Sequence, residues 1–365
     1  MSPQIPAISL LKSLLVARLL RQESFLAVES LVCSPGRKAI GIRSSFGDDV
    51  LGYFTERLDA DRLRVATVGI VRQAKRNKAF QESRWIGLAI DGTGAGRSHE
   101  KKCAQCRPVR NDKKEIVSYH HKSVMLSVVG TGLSLPLDVE PYGPGDSEYA
   151  GGQRLLRRCV KNLGVRFADY VVVDGEFATA PFLHAVGDSG LKVVARLKGN
   201  LPELFEAAQR RFASRPPNRK FRDGGDQVEI WDAGDFDPWE SLRWETVRVI
   251  RYLQHRPDGI VVEAYWLTDF SMSEAGSQAI YHMAKSRWEI ENQGFNDAKN
   301  RYGFEHICHH HPNSLLITWL IVALTLTLER LYRNRHLHRG IHEVLGSADL
   351  VRLLWLSLAQ SADTS

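Results

Sequence analysis

The pattern of apolar and polar positions changes along the chain and separates an N-terminal zone from the rest. Over residues 1–80 the apolar positions recur at helical spacing, most clearly from Leu10 to Leu20. Ser45 is placed to cap a helix that runs to about Leu58. Basic side chains then crowd together over residues 62–78. We predict a helical N-terminal region, which fits either a DNA-binding module or a solvated cap over the core.

Residues 81–200 alternate between the periods of strands and helices. Apolar or β-branched runs of strand length occur at Trp85–Ile90, Val124–Val129, Leu133–Val139, Tyr170–Val173 and Lys192–Leu197. Helical patterns occupy Tyr149–Leu163, which ends before Gly164, and about Ala180–Val186. Three strands in a meander followed by αβ units predict an α/β domain with a mixed sheet.

Residues 201–268 depart from this alternation. One helix, Glu203–Phe212, precedes alternating or β-branched segments at Gln227–Trp231, Trp244–Leu253 and Ile260–Leu267. We therefore predict a β-rich insertion over 201–268 that separates residues 81–200 and 269–330 of one core. Helical patterns return at about Glu274–Tyr302 and Ser314–Tyr332, and residues 331–365 form a helical tail with an amphipathic stretch near Leu350–Leu358.

Composition narrows the class of protein. Apolar residues make up 43% of the 365 positions, enough for a sizeable core, and the net charge of +7 suits a polyanionic partner. Five cysteines form no dense disulfide framework and no signal peptide is visible, so we expect a cytoplasmic setting near the bacterial nucleoid. The most apolar run, Leu315–Leu328, is short for a membrane span and predicts a buried helix, so no membrane partner is expected.

Three acidic positions stand out by their context. Asp91 ends an apolar run and precedes Gly92, Asp174 follows Val173 and precedes Gly175, and Glu291 lies within a helical pattern. An aspartate after a strand is often only a turn or capping residue, and spacing does not exclude the acids Asp138, Glu140 and Glu148. Carboxylates that converge repel one another unless cations lie between them. Two hard cations held by oxygen ligands suit phosphoryl transfer, and such ligands favour magnesium.

The surroundings of these acids carry a family resemblance. Segments Ala89–Thr93, Val172–Phe177 and Arg287–Glu291 resemble the three motifs of DDE transposases of bacterial insertion sequences, in the group whose third motif places Tyr, Arg, Glu and Lys on one helix. Further matching residues occur between 294 and 311, and the resemblance covers roughly 81–330. It implies a ribonuclease H-like mixed sheet flanked by helices. Asp91, Asp174 and Glu291 would be catalytic, holding Mg²⁺, with Mn²⁺ as a substitute.

The resemblance also implies partners and a reaction. The protein would bind double-stranded DNA at the element's terminal inverted repeats, nick it to free a 3′ hydroxyl and join that hydroxyl to target DNA. A homodimer on DNA would hold the two ends together. The alternatives are an inactive or domesticated DNA-binding descendant, a structure-specific nuclease on the same fold, and a zinc-dependent binding module.

Two positions depart from the third motif. Arg287 and Glu291 share a helical face, so Arg287 would bind a backbone phosphate of the DNA. The family tyrosine would fall at Ala284, whereas Tyr281 is one turn too early. Lys299, the DNA-binding lysine, lies one residue beyond the usual spacing. We hypothesise that a π-bulge near Gly294 absorbs the extra residue.

Two further signals lie outside the motifs. Cys103 and Cys106 have zinc-ligand spacing, with partners available in His120, His121 and the segment Cys308–His311, so we expect either a structural Zn²⁺ site or two free thiols. The insertion carries Trp231, Trp239, Trp244 and Trp266. Core packing is the default for each, and the loop residue Trp239 is our candidate for stacking on a DNA base.

Overall fold

The computed structural model describes residues 5–80, 84–336 and 346–363. The α-helices are α1 (Ala7–Leu19), α2 (Phe25–Cys33), α3 (Asp48–Arg57), α4 (Ala60–Arg76), α5 (Glu148–Leu163), α6 (Ala180–Asp188), α7 (Pro202–Ala213), α8 (Ser277–Glu289), α9 (Asn296–Tyr302), α10 (Pro312–His336) and α11 (Ser347–Asp363). The strands are β1 (Gly87–Ser98), β2 (Arg107–Arg110), β3 (Ile116–Val129), β4 (Leu135–Pro141), β5 (Tyr170–Val173), β6 (Lys192–Leu197), β7 (Arg219–Asp223), β8 (Asp226–Phe236), β9 (Val247–His255) and β10 (Val261–Thr268). Short 3-10 turns cover Pro35–Arg37 and Gly175–Phe177, and a π-helical turn, Ile290–Phe295, joins α8 to α9.

One mixed sheet holds the ten strands of the described residues. Their order is β2-β3-β1-β5-β6-β10-β9-β8-β7, and β4 also pairs with β3. The pairs β1–β5 and β5–β6 are parallel, while the remaining pairs are antiparallel. The predicted fold class, an α/β protein with a mixed sheet flanked by helices, is therefore confirmed.

Alternating side chains along the strands build an apolar core on each face of the sheet. Ala89 and Val172 belong to the face covered by α1, α2, α8 and α10. Ile90 and Val173 belong to the opposite face, covered by α5, α6 and α7. Successive side chains of a strand point to opposite faces, so apolar residues at consecutive positions fill both cores. Packing on both faces of the sheet therefore holds the central strands in place.

The strands of the predicted β-rich insertion extend this sheet. β10 pairs with β6 at Tyr265 and Leu197, and β9, β8 and β7 follow in turn. Strands β7–β10 therefore continue the hydrogen-bonded sheet of the core strands. The interval bounds that we drew from the sequence remain a prediction about domains.

The N-terminal helices pack on the core. Arg64 of α4 is buried and donates to Asp138 of β4 at 2.8 Å, and Thr55 of α3 donates to Ser314 of α10 at 2.9 Å. The helix predicted to begin near Ser45 begins at Asp48 instead, with Gly47 at its N-cap.

Helix α10 is the one described helix long and apolar enough to cross a membrane by length and composition. Within the fold, 78% of its most apolar stretch is buried. Its threonines bond to carbonyl groups: Thr325 donates to Ile321 O at 2.7 Å, and Thr327 reaches Pro136 O at 2.7 Å. This is the buried core helix that the sequence predicted.

Three strand features differ from the sequence prediction. β1 continues past Ile90 to Ser98, because its glycine-rich segment pairs with β3, Gly92 opposite Val124 and Gly94 opposite Lys122. Strands β2 and β7 were not predicted. Both are short and lack a strong apolar pattern, so their partners rather than their own side chains define them.

Candidate active site

The two aspartates lie side by side where the parallel pairing of β1 with β5 ends. Ile90 of β1 pairs with Val173 of β5, so Asp91 and Asp174 occupy the next position on neighbouring strands. Asp91 Oδ1 accepts the peptide N–H of Gly92 at 2.9 Å. Such a sheet edge is the place where open α/β sheets bind ligands.

Glu291 reaches the same edge from a helix. It lies in the π-helical turn after α8, and its Oε1 is 2.9 Å from Nη1 of Arg287. The same nitrogen is 3.2 Å from Asp91 Oδ2. One guanidinium nitrogen thus contacts both carboxylates. The predicted common face of Arg287 and Glu291 is present, and it is directed at Asp91.

Burial and nearby charges shift the pKa values of the two aspartates in opposite directions. Burial raises the pKa of Asp91 to about 7, and the carboxylates of Glu291 and Glu148 add to this rise. Burial also acts to raise the pKa of Asp174, but hydrogen bonds and the Lys198 ammonium outweigh it and hold that pKa below its usual value. Lys198 Nζ lies 2.9 Å from the Asp174 carboxylate. A cation placed here would favour the charged form of Asp91.

Glu148, at the start of α5, supplies a fourth carboxylate. A Cβ on Gly92 would lie only 2.1–2.4 Å from the carboxylate atoms of Glu148, so a side chain at position 92 would displace it. Tyr142 donates its hydroxyl to Glu148 Oε2 at 3.0 Å. Burial raises the pKa of Glu148 above its usual value. The sequence placed Glu148 only among rival acids, and the signal that could have selected it is the glycine after Asp91.

The other two rival acids belong to an ion-pair network with arginines. Asp138 is buried between Arg64 and Arg158, whose Nε atoms lie 2.8 and 2.7 Å from its oxygens. Glu140 pairs with Arg154 at 2.8 Å and with Arg158 at 2.8 Å. Their cations are arginines from α4 and α5, so these two carboxylates join helices to β4.

The helix of the third motif contains the hypothesised irregularity. Residues 290–295 form a π-helical turn that includes Gly294, so the π-bulge prediction is confirmed. Lys299 Nζ then lies 3.0 Å from Glu305 Oε1. The carbonyl of Glu305 would be 3.2 Å from a Cβ on Gly96, so the partner of this lysine lies close to β1. A contact of Lys299 with DNA remains a prediction.

No tyrosine takes the family position on this helix. Ala284 is buried, and Tyr281 donates its hydroxyl to Asp223 at 2.9 Å. Lys285 Nζ lies 3.0 Å from the same Asp223 oxygen. Tyr281 therefore joins α8 to β7.

The topology places Trp239 far from the carboxylates. It lies in the predicted loop, just after β8 ends at Phe236, and is partly buried against α7. β8 runs antiparallel to β5 and β6, because three antiparallel pairings separate it from β6. Its carboxyl end is therefore at the opposite edge of the sheet from Asp91. The structure does not bring Trp239 into the acidic site of its own chain. Trp231 and Trp266 are buried, as expected by default.

The predicted cysteine pair forms a cluster at the far end of β1. The Sγ atoms of Cys103 and Cys106 are 3.8 Å apart, and Nε2 of His121 lies 3.1 Å from the first and 3.6 Å from the second. His310 completes the group. His121 pairs with Ala95 in the sheet, four residues beyond Asp91, which corresponds to about 13 Å along the strand.

These features define a class of site: clustered carboxylates at the edge of an α/β sheet, flanked by an arginine and a lysine, as in metal-dependent phosphoryl transfer. Residues 86–328 match the family described as Transposase DDE domain. The match covers about two thirds of the chain, and the protein belongs to this family.

Two further comparisons add little to this result. The cryo-EM structure of the piggyBac transposase synaptic complex with hairpin DNA is similar to the chain at 15% identity, with a TM-score of 0.49. That similarity covers 98% of this chain and 71% of the piggyBac chain. No curated protein sequence matches significantly.

Proposed function

We propose that the protein is an insertion-sequence transposase that cleaves DNA at the ends of its element and transfers the freed 3′ hydroxyl into target DNA. The observation that supports this most directly is that Asp174 lies beside Asp91 on the neighbouring strand, while Asp91 and Glu291 both contact the guanidinium of Arg287. Membership of the DDE transposase family supplies the reaction class. The basic balance of the chain suits a DNA partner.

The donor set fits Mg²⁺. The three side chains offer only carboxylate oxygens, which hard cations prefer over the sulfur and nitrogen ligands typical of zinc. Burial raises the pKa of Asp91 to about 7 even beside Arg287, so a further cation there would favour its charged form. Divalent cations held there would supply the charge that activates water and stabilises the departing 3′ oxygen.

The surrounding residues orient and compensate these acids. Arg287 holds Asp91 and Glu291 at hydrogen-bonding distance. Once other cations neutralise the two carboxylates, its planar donors can bind a backbone phosphate. Lys198, whose side chain is 52% exposed, can bind DNA in the same way beside Asp174. A transposon has two ends, so two such chains would act together as a dimer on DNA.

The test uses the coding sequence with its native flanking DNA on both sides, end-labelled, together with a supercoiled target plasmid and Mg²⁺. The native protein should produce nicks at discrete positions in the flanks and joined products. Asp174→Asn should lower both rates about a hundredfold or more, because loss of a metal ligand removes several kcal/mol of charge stabilisation. Asp188→Asn, the same change at an exposed position at the end of α6, is the matched control and should retain native rates.

Equal activity of Asp174→Asn and native protein would reject the catalytic assignment. Specific binding of the flanks without cleavage by the native protein would identify the DNA-binding alternative instead, to which Ala284 in place of the family tyrosine points. Cleavage without dependence on the flanking sequence and without joining would indicate a nuclease.

A further inference from the structure

The segment after β1 contains a tight turn with two thiols on one side. The peptide N–H of Cys106 donates to the carbonyl of Cys103 at 3.3 Å, and the turn brings the two Sγ atoms within 3.8 Å. Cys106 is buried and both cysteines are free thiols. A turn of this kind positions both sulfurs even when no metal ion is bound.

Two imidazoles from other elements face these sulfurs. His121, on β3, is 2% exposed and directs Nε2 at both thiols. His310, from the segment between α9 and α10, has its ring centroid 5.6 Å from that of His121. One ligand atom from each of the four residues lies within 4.8 Å of all the others. Buried Nδ1 atoms of both histidines have no hydrogen-bond partner among the described residues.

We propose that Cys103, Cys106, His121 and His310 bind one structural zinc ion. A tetrahedral zinc ion, about 2.3 Å from thiolate sulfur and about 2.0–2.1 Å from imidazole nitrogen, holds its ligand atoms roughly 3.3–3.8 Å apart. The observed separation of the two sulfurs and their distances to His121 already lie close to this range. Two thiolates and two imidazoles favour zinc over magnesium. Four protein ligands leave no open position for catalysis, so the ion is structural.

Cys308 and His309 have other partners, and the four grouped residues are the ones whose ligand atoms converge. Cys308 donates to the carbonyl of Glu23 at 3.0 Å, and His309 lies 2.7 Å from Glu56. His120 is next to His121 on β3, but the two point to opposite faces of the sheet and His120 is not in the group. Adjacent histidines on a strand therefore supply one ligand and not two.

The position of the ion gives it a role in the architecture. Cys103 and Cys106 follow β1, the strand that carries Asp91, whereas His310 follows the helix that continues from Glu291. Ile307, three residues before His310, packs so closely on Gly96 that a Cβ there would lie 2.3 Å from its Cδ1. The zinc ion would fasten the exit of the third-motif helix to the first catalytic strand. This inference does not depend on the proposed transposition reaction.

The test begins with native protein purified without a histidine tag or chelator. Elemental analysis should find about one zinc per chain, and a Co²⁺-substituted sample should show sulfur-to-cobalt charge-transfer bands and intense tetrahedral ligand-field bands. Chelation should raise the number of thiols that react with a thiol reagent by two. These three readouts on the native chain do not require any variant to fold.

Variants then assign the ligands. Cys106→Ser and His310→Ala should lower the zinc content about tenfold or more and abolish the charge-transfer or ligand-field bands expected for four ligands. His120→Ala and Cys33→Ser, an adjacent histidine and an exposed thiol, are the matched controls and should keep zinc. Native protein that stays zinc-free after refolding with zinc, or Co²⁺ spectra without thiolate bands, would overturn the proposal. So would zinc loss in His120→Ala with retention in His121→Ala.

Discussion

Replacing Arg287 by methionine would test whether this arginine stands in for cations at the acidic site. Its side chain is 9% exposed, and one nitrogen contacts Asp91 at 3.2 Å and Glu291 at 2.9 Å. Methionine preserves much of the length and apolar packing of the arginine stem but removes its charge. The two carboxylates would then face each other, beside Glu148, without the cation that now separates them.

The size of the effect follows from burial. Breaking a fully buried ion pair costs about 3–5 kcal/mol, because the remaining charge is left uncompensated. The side chain of Asp91 is 16% exposed and that of Glu291 is 42% exposed, so water compensates part of this loss. We expect a cost of about 2 kcal/mol in metal-free buffer. An unfolding entropy of about 2.1 cal/mol/K per residue over 365 residues converts this to a fall in Tm of roughly 3 °C.

Thermal unfolding with and without millimolar MgCl₂ measures the effect. Because Arg287 competes with added cations for the same oxygens, Mg²⁺ should raise the Tm of Arg287→Met more than that of the native protein. Arg210→Met is the matched control: Arg210 is 73% exposed and also forms an i,i+4 pair, with Glu206 at 3.6 Å. Its Tm and Mg²⁺ response should equal those of the native protein. A variant of Arg287 with native Tm in metal-free buffer, or with an unchanged Mg²⁺ response, would refute the reasoning.

Three other substitutions separate catalysis from stability. Glu148→Gln should slow cleavage about tenfold or more with little change in Tm, because it removes a negative charge beside Asp91. A native cleavage rate in this variant would show that Glu148 has no role in cleavage. Burial raises the pKa of Glu289 to about 7, so the folded state holds this proton more tightly than the unfolded state and native stability falls as pH rises from about 4.5 to 7. Glu289→Gln should therefore stabilise the protein by about 1–2 kcal/mol at pH near 8 and leave it unchanged near pH 4.5, as measured by denaturant unfolding; equal gains at both pH values would contradict this. Asp138→Ala should cost about 3–5 kcal/mol, because two arginines lose a carboxylate that is 2% exposed. Its cleavage rate per folded molecule should stay native, and a selective loss of cleavage would return Asp138 to the list of catalytic candidates.

The strand that leads to Asp174 could be predicted because its side chains are apolar on both faces. Tyr170–Val173 has the bounds expected from the sequence, and its side chains are buried on both sides of the sheet. A parallel strand that is buried on both faces is apolar at nearly every position, so the polar residue that follows such a run marks its end. Asp174 was found in this way.

Features that depend on pairing could not be predicted. Whether the loop of Trp239 lies at the acidic edge or at the opposite one depends on how many antiparallel partners separate β8 from β6, which side-chain pattern does not encode. The approach of Glu148 to Gly92 depends on where α5 begins relative to β1. The choice of His121 over His120 as a cluster member depends on the register between β1 and β3.

The order of the acidic residues along the chain has a consequence for synthesis in the cell. Asp91 and Asp174 emerge from the ribosome early, whereas Glu291 and Arg287 appear only after the four added strands of the sheet have been translated. The π-helical turn that carries Glu291 also rests on α10, since Arg330 donates to the carbonyl of Gln293. A chain that ends before Glu291 therefore lacks the complete acidic site.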